Sequence, residues 1–173
     1  MWTLMESPVG ELRIVARDGA ITAIDFIGGF SASDAEQSST VAAMARAGRP
    51  LGERDDADPV LVAAVRQLEE YFAGDRTDFD LPLAPEGTPF QRKVWEQLLK
   101  IGYGESASYG EIAGRLGMTG HGARAVGLAN GRNPIPIVIP CHRVVGADGS
   151  LTGYGGGIER KQILLDLETG SLF

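Results

Sequence analysis

Three prolines, Pro134, Pro136 and Pro140, fall within seven residues, and the only cysteine of the chain, Cys141, follows them directly. Proline lacks an amide hydrogen and fixes φ, so such a stretch can neither continue a helix nor pair as a central strand. The run from Asn133 to Val144 is therefore a rigid loop that displays Cys141, His142 and Arg143, and the remaining fold has to be built around it. A thiol with an unperturbed pKa of about 8.5 is only a few per cent thiolate near neutral pH, so a working cysteine needs electropositive help. His142 and Arg143 are the candidates for that help. A lone cysteine is equally at home as a small buried hydrophobe, and the loop alone leaves both possibilities open.

At 173 residues and 43% apolar content the chain can form one full core, or a small domain beside a slightly larger one. It has no run of eighteen apolar residues and no basic segment leading into an apolar stretch at its start. Neither a membrane span nor a secretory signal is expected, and a soluble cytoplasmic protein is. One cysteine excludes an internal disulfide and any multi-thiolate metal site.

The net charge of −7 is unevenly placed: residues 1–87 carry 7 basic and 16 acidic side chains, net −9, and residues 88–173 carry 9 and 7, net +2. No acid lies between Glu111 and Asp148, whereas Arg115, Arg124, Arg132 and Arg143 all do. That stretch is a candidate face for an anionic ligand such as a phosphate backbone.

Along the chain, Trp2 to Ser7, Leu12 to Arg17 and Ile21 to Ile27 read as strands of a meander separated by Gly-containing turns. Residues 28–58 are rich in Gly, Ser, Ala and acids and read as a long connection, with one helical turn near Val41 to Ala47. Val60, Leu61, Ala64, Val65, Leu68, Tyr71 and Phe72 recur at helical spacing after Pro59 and stop near Gly74. An acidic, proline-containing linker over 75–87 then separates an N-terminal domain, 1–80, from a C-terminal domain, 81–173. Thr88-Pro89-Phe90-Gln91 and Ser108-Tyr109-Gly110-Glu111 have the pattern of capping boxes, each opening a helix. A third helix runs from Ala123 to Gly131, and a last one from Ile158 to Leu167 buries Ile163, Leu164 and Leu167. The class is α+β: an antiparallel sheet plus helix, then a helical domain with a helix-turn-helix and the cysteine loop.

Helix-turn-helix patterns are weak evidence alone, since small bundles contain similar hairpins. The third helix is mostly Ala and Gly with one long side chain, Arg124, and would read base edges in the major groove poorly. It suits close approach in the minor groove, or plain packing with Arg124 solvated. Glu168 is placed to partner a histidine or to end the helix as a solvated acid, and His121 is a phosphate contact or a solvated turn residue.

Ile139-Pro140-Cys141-His142-Arg143-Val144, Asn133-Pro134 upstream, Ala123-Arg124-Ala125-Val126-Gly127, and Gly153-Tyr154-Gly155-Gly156-Gly157 followed by a helix reaching Glu168 together closely resemble the O6-alkylguanine-DNA alkyltransferases of bacterial type. The resemblance is strong over 88–168 and rests on fold type alone over 1–87. It implies direct-reversal repair: duplex bound through the minor groove, the damaged guanine flipped out at a cost of a few kcal/mol, and its alkyl group moved irreversibly to Cys141, once per molecule. It implies that Arg124 fills the gap in the stack, with Ala123, Ala125, Gly127 and Tyr109 also at the DNA. Tyr109 would donate a proton to the leaving guanine. His142 would polarise Cys141 through a water, held by Glu168, and Asn133 would brace the loop. Pro136, Val144, Tyr154, Gly155 and Gly156 would line the base pocket. The implied partner is double-stranded DNA carrying O6-alkylguanine, with O4-alkylthymine left open. A monomer is expected, cooperativity on DNA being left open, with no cofactor and no metal because the cysteines of the animal proteins' zinc site are missing. The alternatives are a non-catalytic alkyltransferase-like damage sensor, which has Trp where this chain has Cys141, a sequence-specific regulator, and a cysteine hydrolase.

Overall fold

A computed structural model describes residues 1–27, 52–120, 122–154 and 156–170. Most of the expected 28–58 connection, including the helical turn near Val41 to Ala47, lies outside these residues, as do His121 and Gly155. The fold is α+β. Strands β1 (Trp2–Met5), β2 (Glu11–Arg17) and β3 (Ala20–Ile27) form an antiparallel sheet in the order β1-β2-β3. Asp18 and Gly19 both take positive φ, 52° and 78°, the backbone whose twist suits a two-residue hairpin. Leu12 stands opposite Phe26 and Ile14 opposite Ile24, which puts four buried apolar side chains on one face.

Helix α1 (Pro59–Phe72) covers the sheet. Asp58 caps it by accepting from Val60 N and Leu61 N, and Pro59 occupies the first position. Leu61, Ala64, Leu68 and Tyr71 form the stripe that α1 buries. Leu61 and Leu68 are fully enclosed, each worth about 1.5–3 kcal/mol of burial. The linker is held by Gln67, which donates to Asp80 O at 2.9 Å and accepts from Asp80 N at 2.8 Å. Further on it runs beside β3, where Ile21 exchanges backbone hydrogen bonds with Pro82 and Ala84.

In the second half, α2 (Pro89–Leu98) starts with a reciprocal capping box between Thr88 and Gln91. β4 (Ala107–Ser108) leads into α3 (Tyr109–Arg115), where Ser108 Oγ accepts from Glu111 N. α4 (Gly122–Gly131) packs on both α2 and α3, completing the helix-turn-helix. A 3₁₀ turn, Cys141–Arg143, runs into β5 (Val144–Val145), which pairs in parallel with β4. α5 (Ile158–Thr169) extends two residues past the expected end before Gly170 (φ 79°) stops it. Ile163 is only half buried, and α5 buries Arg160 and Lys161 instead. Both cations are tolerated inside because main-chain carbonyls accept from them.

One apolar core runs through both halves. Polar ties cross between them: Ile24 N donates to Pro134 O at 2.9 Å, and Arg160 Nε donates to Val9 O at 2.7 Å. Among the described residues no helix is long and apolar enough to cross a membrane.

Candidate active site

The proline loop is braced by its own first residue. Asn133 Nδ2 donates to Ile139 O at 2.8 Å while Asn133 Oδ1 accepts from Ile135 N at 3.0 Å, so one amide closes the loop from both sides. Inside it Ile137 takes φ 74°, a left-handed backbone that a β-branched residue rarely adopts and that costs roughly 1–3 kcal/mol. The packing that enforces it is dense, since residues 135–140 are all buried, Pro136 among them. The loop delivers Cys141 onto its 3₁₀ turn, with Cys141 N donating to Ile139 O.

The thiol is 4% exposed. Burial pushes its pKa up to about 11, against the opposing pull of the Asn133 amide and the Lys161 ammonium. Left alone it is a neutral thiol at physiological pH, so any nucleophilic role requires a base at the moment of reaction.

His142 and Arg143, the next two residues of the turn, both meet Glu168 of α5. Glu168 Oε2 accepts from His142 Nε2 at 2.6 Å, from the Tyr71 hydroxyl at 2.6 Å and from Arg143 Nη2 at 3.1 Å. Glu168 Oε1 accepts from Arg143 Nε at 2.8 Å and from Gly104 N at 3.4 Å. Burial works to raise this carboxyl, but the hydrogen bonds from His142, Arg143 and Tyr71 outweigh it and hold its pKa down at about 2. The bidentate Arg143 already balances the carboxylate charge. Burial lowers the pKa of His142 despite Glu168, and the imidazole is neutral. Because a carboxylate can only accept, the hydrogen of that neutral ring sits on Nε2. Nδ1 is left as a buried lone pair without a protein partner among the described residues.

This corrects the expected arginine surface. Arg115, Arg124 and Arg132 are exposed, but Arg143 is 6% exposed, faces Glu168 and donates from Nη1 to Ile101 O at 2.6 Å. It orients the carboxylate and is not a surface cation. The cation whose charge acts on the thiol is Lys161, fully buried on α5, whose Nζ donates to Val144 O and to Thr152 O.

The other expected residues fall into two groups. Val144, Tyr154 and Gly156 are buried with Cys141 in the core region. A Cβ on Gly156 would stand 2.7 Å from Phe26 Cε2 and 3.0 Å from Tyr154 Cε1, so only glycine lets this segment lie against the sheet. Gly155 lies outside the described residues. Ala123 and Arg124 are exposed on α4, Ala125 and Gly127 half exposed, and Leu128 is 65% exposed beside them. Tyr109 links the groups: its ring lies over Gly127, and its hydroxyl donates to Thr152 O and accepts from Thr152 Oγ1, both at 3.2 Å.

Tyr71, Lys161 and Asn130 were not expected at the site. Asn130, 2% exposed on α4, donates from Nδ2 to Cys141 O at 3.4 Å. A polar residue predicted on the buried stripe of a helix was the available signal for Asn130, and cations on the inner face of α5 for Lys161. Among the described residues no cluster of His, Cys, Asp and Glu has metal-binding geometry.

Comparison with known proteins extends this geometry. The profile of the 6-O-methylguanine DNA methyltransferase ribonuclease-like domain matches residues 1–85, and that of the 6-O-methylguanine DNA methyltransferase DNA binding domain matches residues 89–170. The chain is 47% identical over 164 residues to the methylated-DNA--protein-cysteine methyltransferase of Mycolicibacterium paratuberculosis, which covers 95% of this chain and 89% of that protein. It is 64% identical over 105 residues to the protein of the same name from Mycobacterium tuberculosis, a stretch that is 61% of this chain and 63%, under two thirds, of that relative. The crystal structure of Mycobacterium tuberculosis OGT in complex with DNA superposes with a TM-score of 0.78 at 45% identity, covering 98% of this chain and 92% of that one. The two profiles meet near the linker and take in both the cysteine loop and Glu168, and the chain belongs to the 6-O-methylguanine DNA methyltransferase family.

Proposed function

We propose that this chain is a direct-reversal DNA repair protein, a methylated-DNA-protein-cysteine methyltransferase that removes the alkyl group from O6-alkylguanine in double-stranded DNA. The observation that carries the proposal is the turn at Cys141. A buried neutral thiol sits next to a histidine whose Nε2–H is tied to Glu168 and whose Nδ1 lone pair is unused. That is a thiol waiting for a base, and a base whose orientation is fixed by a third group.

In the step proposed, the Cys141 proton passes through a water to His142 Nδ1 and the sulfur attacks the alkyl carbon. The carbon–oxygen bond breaks, its electron pair stays with the guanine, and Tyr109 supplies the proton that leaves the base neutral. Solvent exchange returns the proton from His142 to Tyr109. The product is a thioether at Cys141, which no group at the site can cleave, so each molecule reacts once. Glu168 and Arg143 act through His142 as positioning residues, and Asn133 through the loop.

The exposed side of α4 faces the minor groove in this account, with Arg124 entering the stack and Ala123, Ala125 and Gly127 permitting close approach. Pro136, Val144, Tyr154, Gly155 and Gly156 line the pocket for the flipped base. Residues 81–173 bind DNA and carry the acceptor, residues 1–80 support them, and the protein acts as a cytoplasmic monomer.

The test uses a duplex carrying O6-methylguanine with a labelled methyl group. Label is expected on the protein, saturating at one equivalent, while Cys141→Ser binds the damaged duplex without taking label. Tight binding with no transfer by the wild type would mean a damage sensor. Continued turnover on an ester or amide would mean a hydrolase. The same assay with O4-methylthymine decides that substrate.

A further inference from the structure

The segment between β5 and α5 carries Tyr154 and Gly156, and two consecutive residues of α5 hold it near both ends. Lys161 Nζ donates to Thr152 O of the segment and to Val144 O, directly after the cysteine turn. Arg160 Nη1 donates to Gly156 O at 2.9 Å, and Arg160 Nε donates to Val9 O at 2.7 Å, in the turn between β1 and β2. Each cation thus ties one carbonyl of the segment to one carbonyl outside it. Lys161 fastens the segment to the cysteine side, and Arg160 fastens it to the N-terminal sheet.

Arg160 is fully buried, and taking a guanidinium out of water is costly. An apolar side chain would fill the same space, but apolar contact is non-directional, whereas the planar fork fixes its two acceptors in distance and angle. The guanidinium also stands 4.9 Å over the Phe26 ring of β3. The same ring meets Tyr154 edge-on, with centroids 6.1 Å apart, and closes the space beside Gly156. Tyr154 in turn is near enough to Cys141 for a thiolate charge to act on its hydroxyl. A displacement at Val9 or Phe26 is therefore passed on to the segment that stands against the thiol.

Building on the alkyl-transfer function above, we propose that Arg160 is a positioning residue for that reaction. It makes the N-terminal sheet the fixed support against which Tyr154 and Gly156 are held at Cys141, so that residues 1–27 govern the rate of transfer without supplying a group to the chemistry.

The experiment measures two quantities for the wild type and for Arg160→Met: the first-order rate of methyl transfer at saturating O6-methylguanine duplex, and the affinity for an undamaged duplex of the same sequence. Methionine keeps the length of the side chain and removes both donors. At saturation the rate constant reports only molecules that are folded and bound, so partial unfolding lowers the amplitude and leaves the constant unchanged. Arg160→Met is expected to transfer about tenfold or more slowly, as displacements near 1 Å at a reacting centre do. Its affinity for the undamaged duplex is expected to stay at the wild-type value, because α4 and Arg124 are not moved. Should Arg160→Met fail to fold, Arg160→Lys, which keeps the charge but has one donor group in place of the fork, is read by the same two measurements and is expected to be slower in the same way. A wild-type rate in the folded variant, or a loss of affinity for the undamaged duplex as large as the loss in rate, would overturn the assignment of Arg160 while leaving alkyl transfer intact. No transfer by the wild type would overturn the alkyl-transfer function, and the assignment with it.

Discussion

Tyr71, in the last turn of α1, donates its hydroxyl to Glu168 Oε2 at 2.6 Å across 97 residues of sequence. The N-terminal half therefore reaches into the cluster that orients His142. The Tyr71 hydroxyl is strongly held as the neutral donor, by burial first and then by the Glu168 charge. Tyr71→Phe keeps the packing against Phe72, Phe79 and Tyr103 and removes only that hydrogen bond. A loss of about 1.5–3 kcal/mol is expected in urea denaturation, the range for a hydrogen bond to a charged group. Alkyl transfer should slow without being abolished, because His142 and Arg143 still hold the carboxylate.

Glu168→Gln removes the charge that Arg143 and His142 share. Arg143 is then a buried cation without a counter-charge, and a loss of about 3–5 kcal/mol is expected. Arg143→Met in the Glu168→Gln background should recover part of it, since an apolar partner removes the unpaired charge. Chemical denaturation of the single and double variants measures both effects.

The Cys141 thiol gives a pH signature. Its pKa rises from 9.0 to about 11 on folding, chiefly through burial, so the folded state prefers the protonated form. The corresponding stability is fully present below pH 9.0 and is lost as the pH climbs toward about 11. Wild type should lose stability relative to Cys141→Ala over this window, with the difference flat below it. Parallel thermal scans of the two proteins provide the check.

Gly156→Ala tests how tightly the pocket segment is fixed. The added methyl would meet the Phe26 ring, which also contacts Tyr154 edge-on and carries Arg160 at 4.9 Å. Transfer is expected to slow by about tenfold or more, as displacements near 1 Å at a reacting centre do. Adding Phe26→Leu should restore part of the rate, which a fault in folding elsewhere would not allow.

What was legible in the sequence was local. Prolines at 134, 136 and 140 announced the loop, Thr88 and Gln91 the start of α2, and the Gly-punctuated apolar runs the meander. The pairing of His142 with Glu168 came from the family pattern. The rest depended on tertiary packing that short-range patterns do not encode. Arg143 looked like surface charge because its acid is 25 residues away in sequence. No sequence pattern marks Lys161 and Arg160, because their partners are backbone carbonyls, which every residue has. Tyr71 read as one more apolar position in α1, and the small-residue pattern of α4 assigned Asn130 no role.

The intact mass of the protein after incubation with an O6-methylguanine duplex tests the central claim most directly. The account expects one methyl group in place of one hydrogen, located by fragmentation on the peptide containing Cys141, with no further increase at longer times or higher duplex concentration. An unchanged mass while the duplex loses its methyl group, or a methyl group on any other residue, would contradict it.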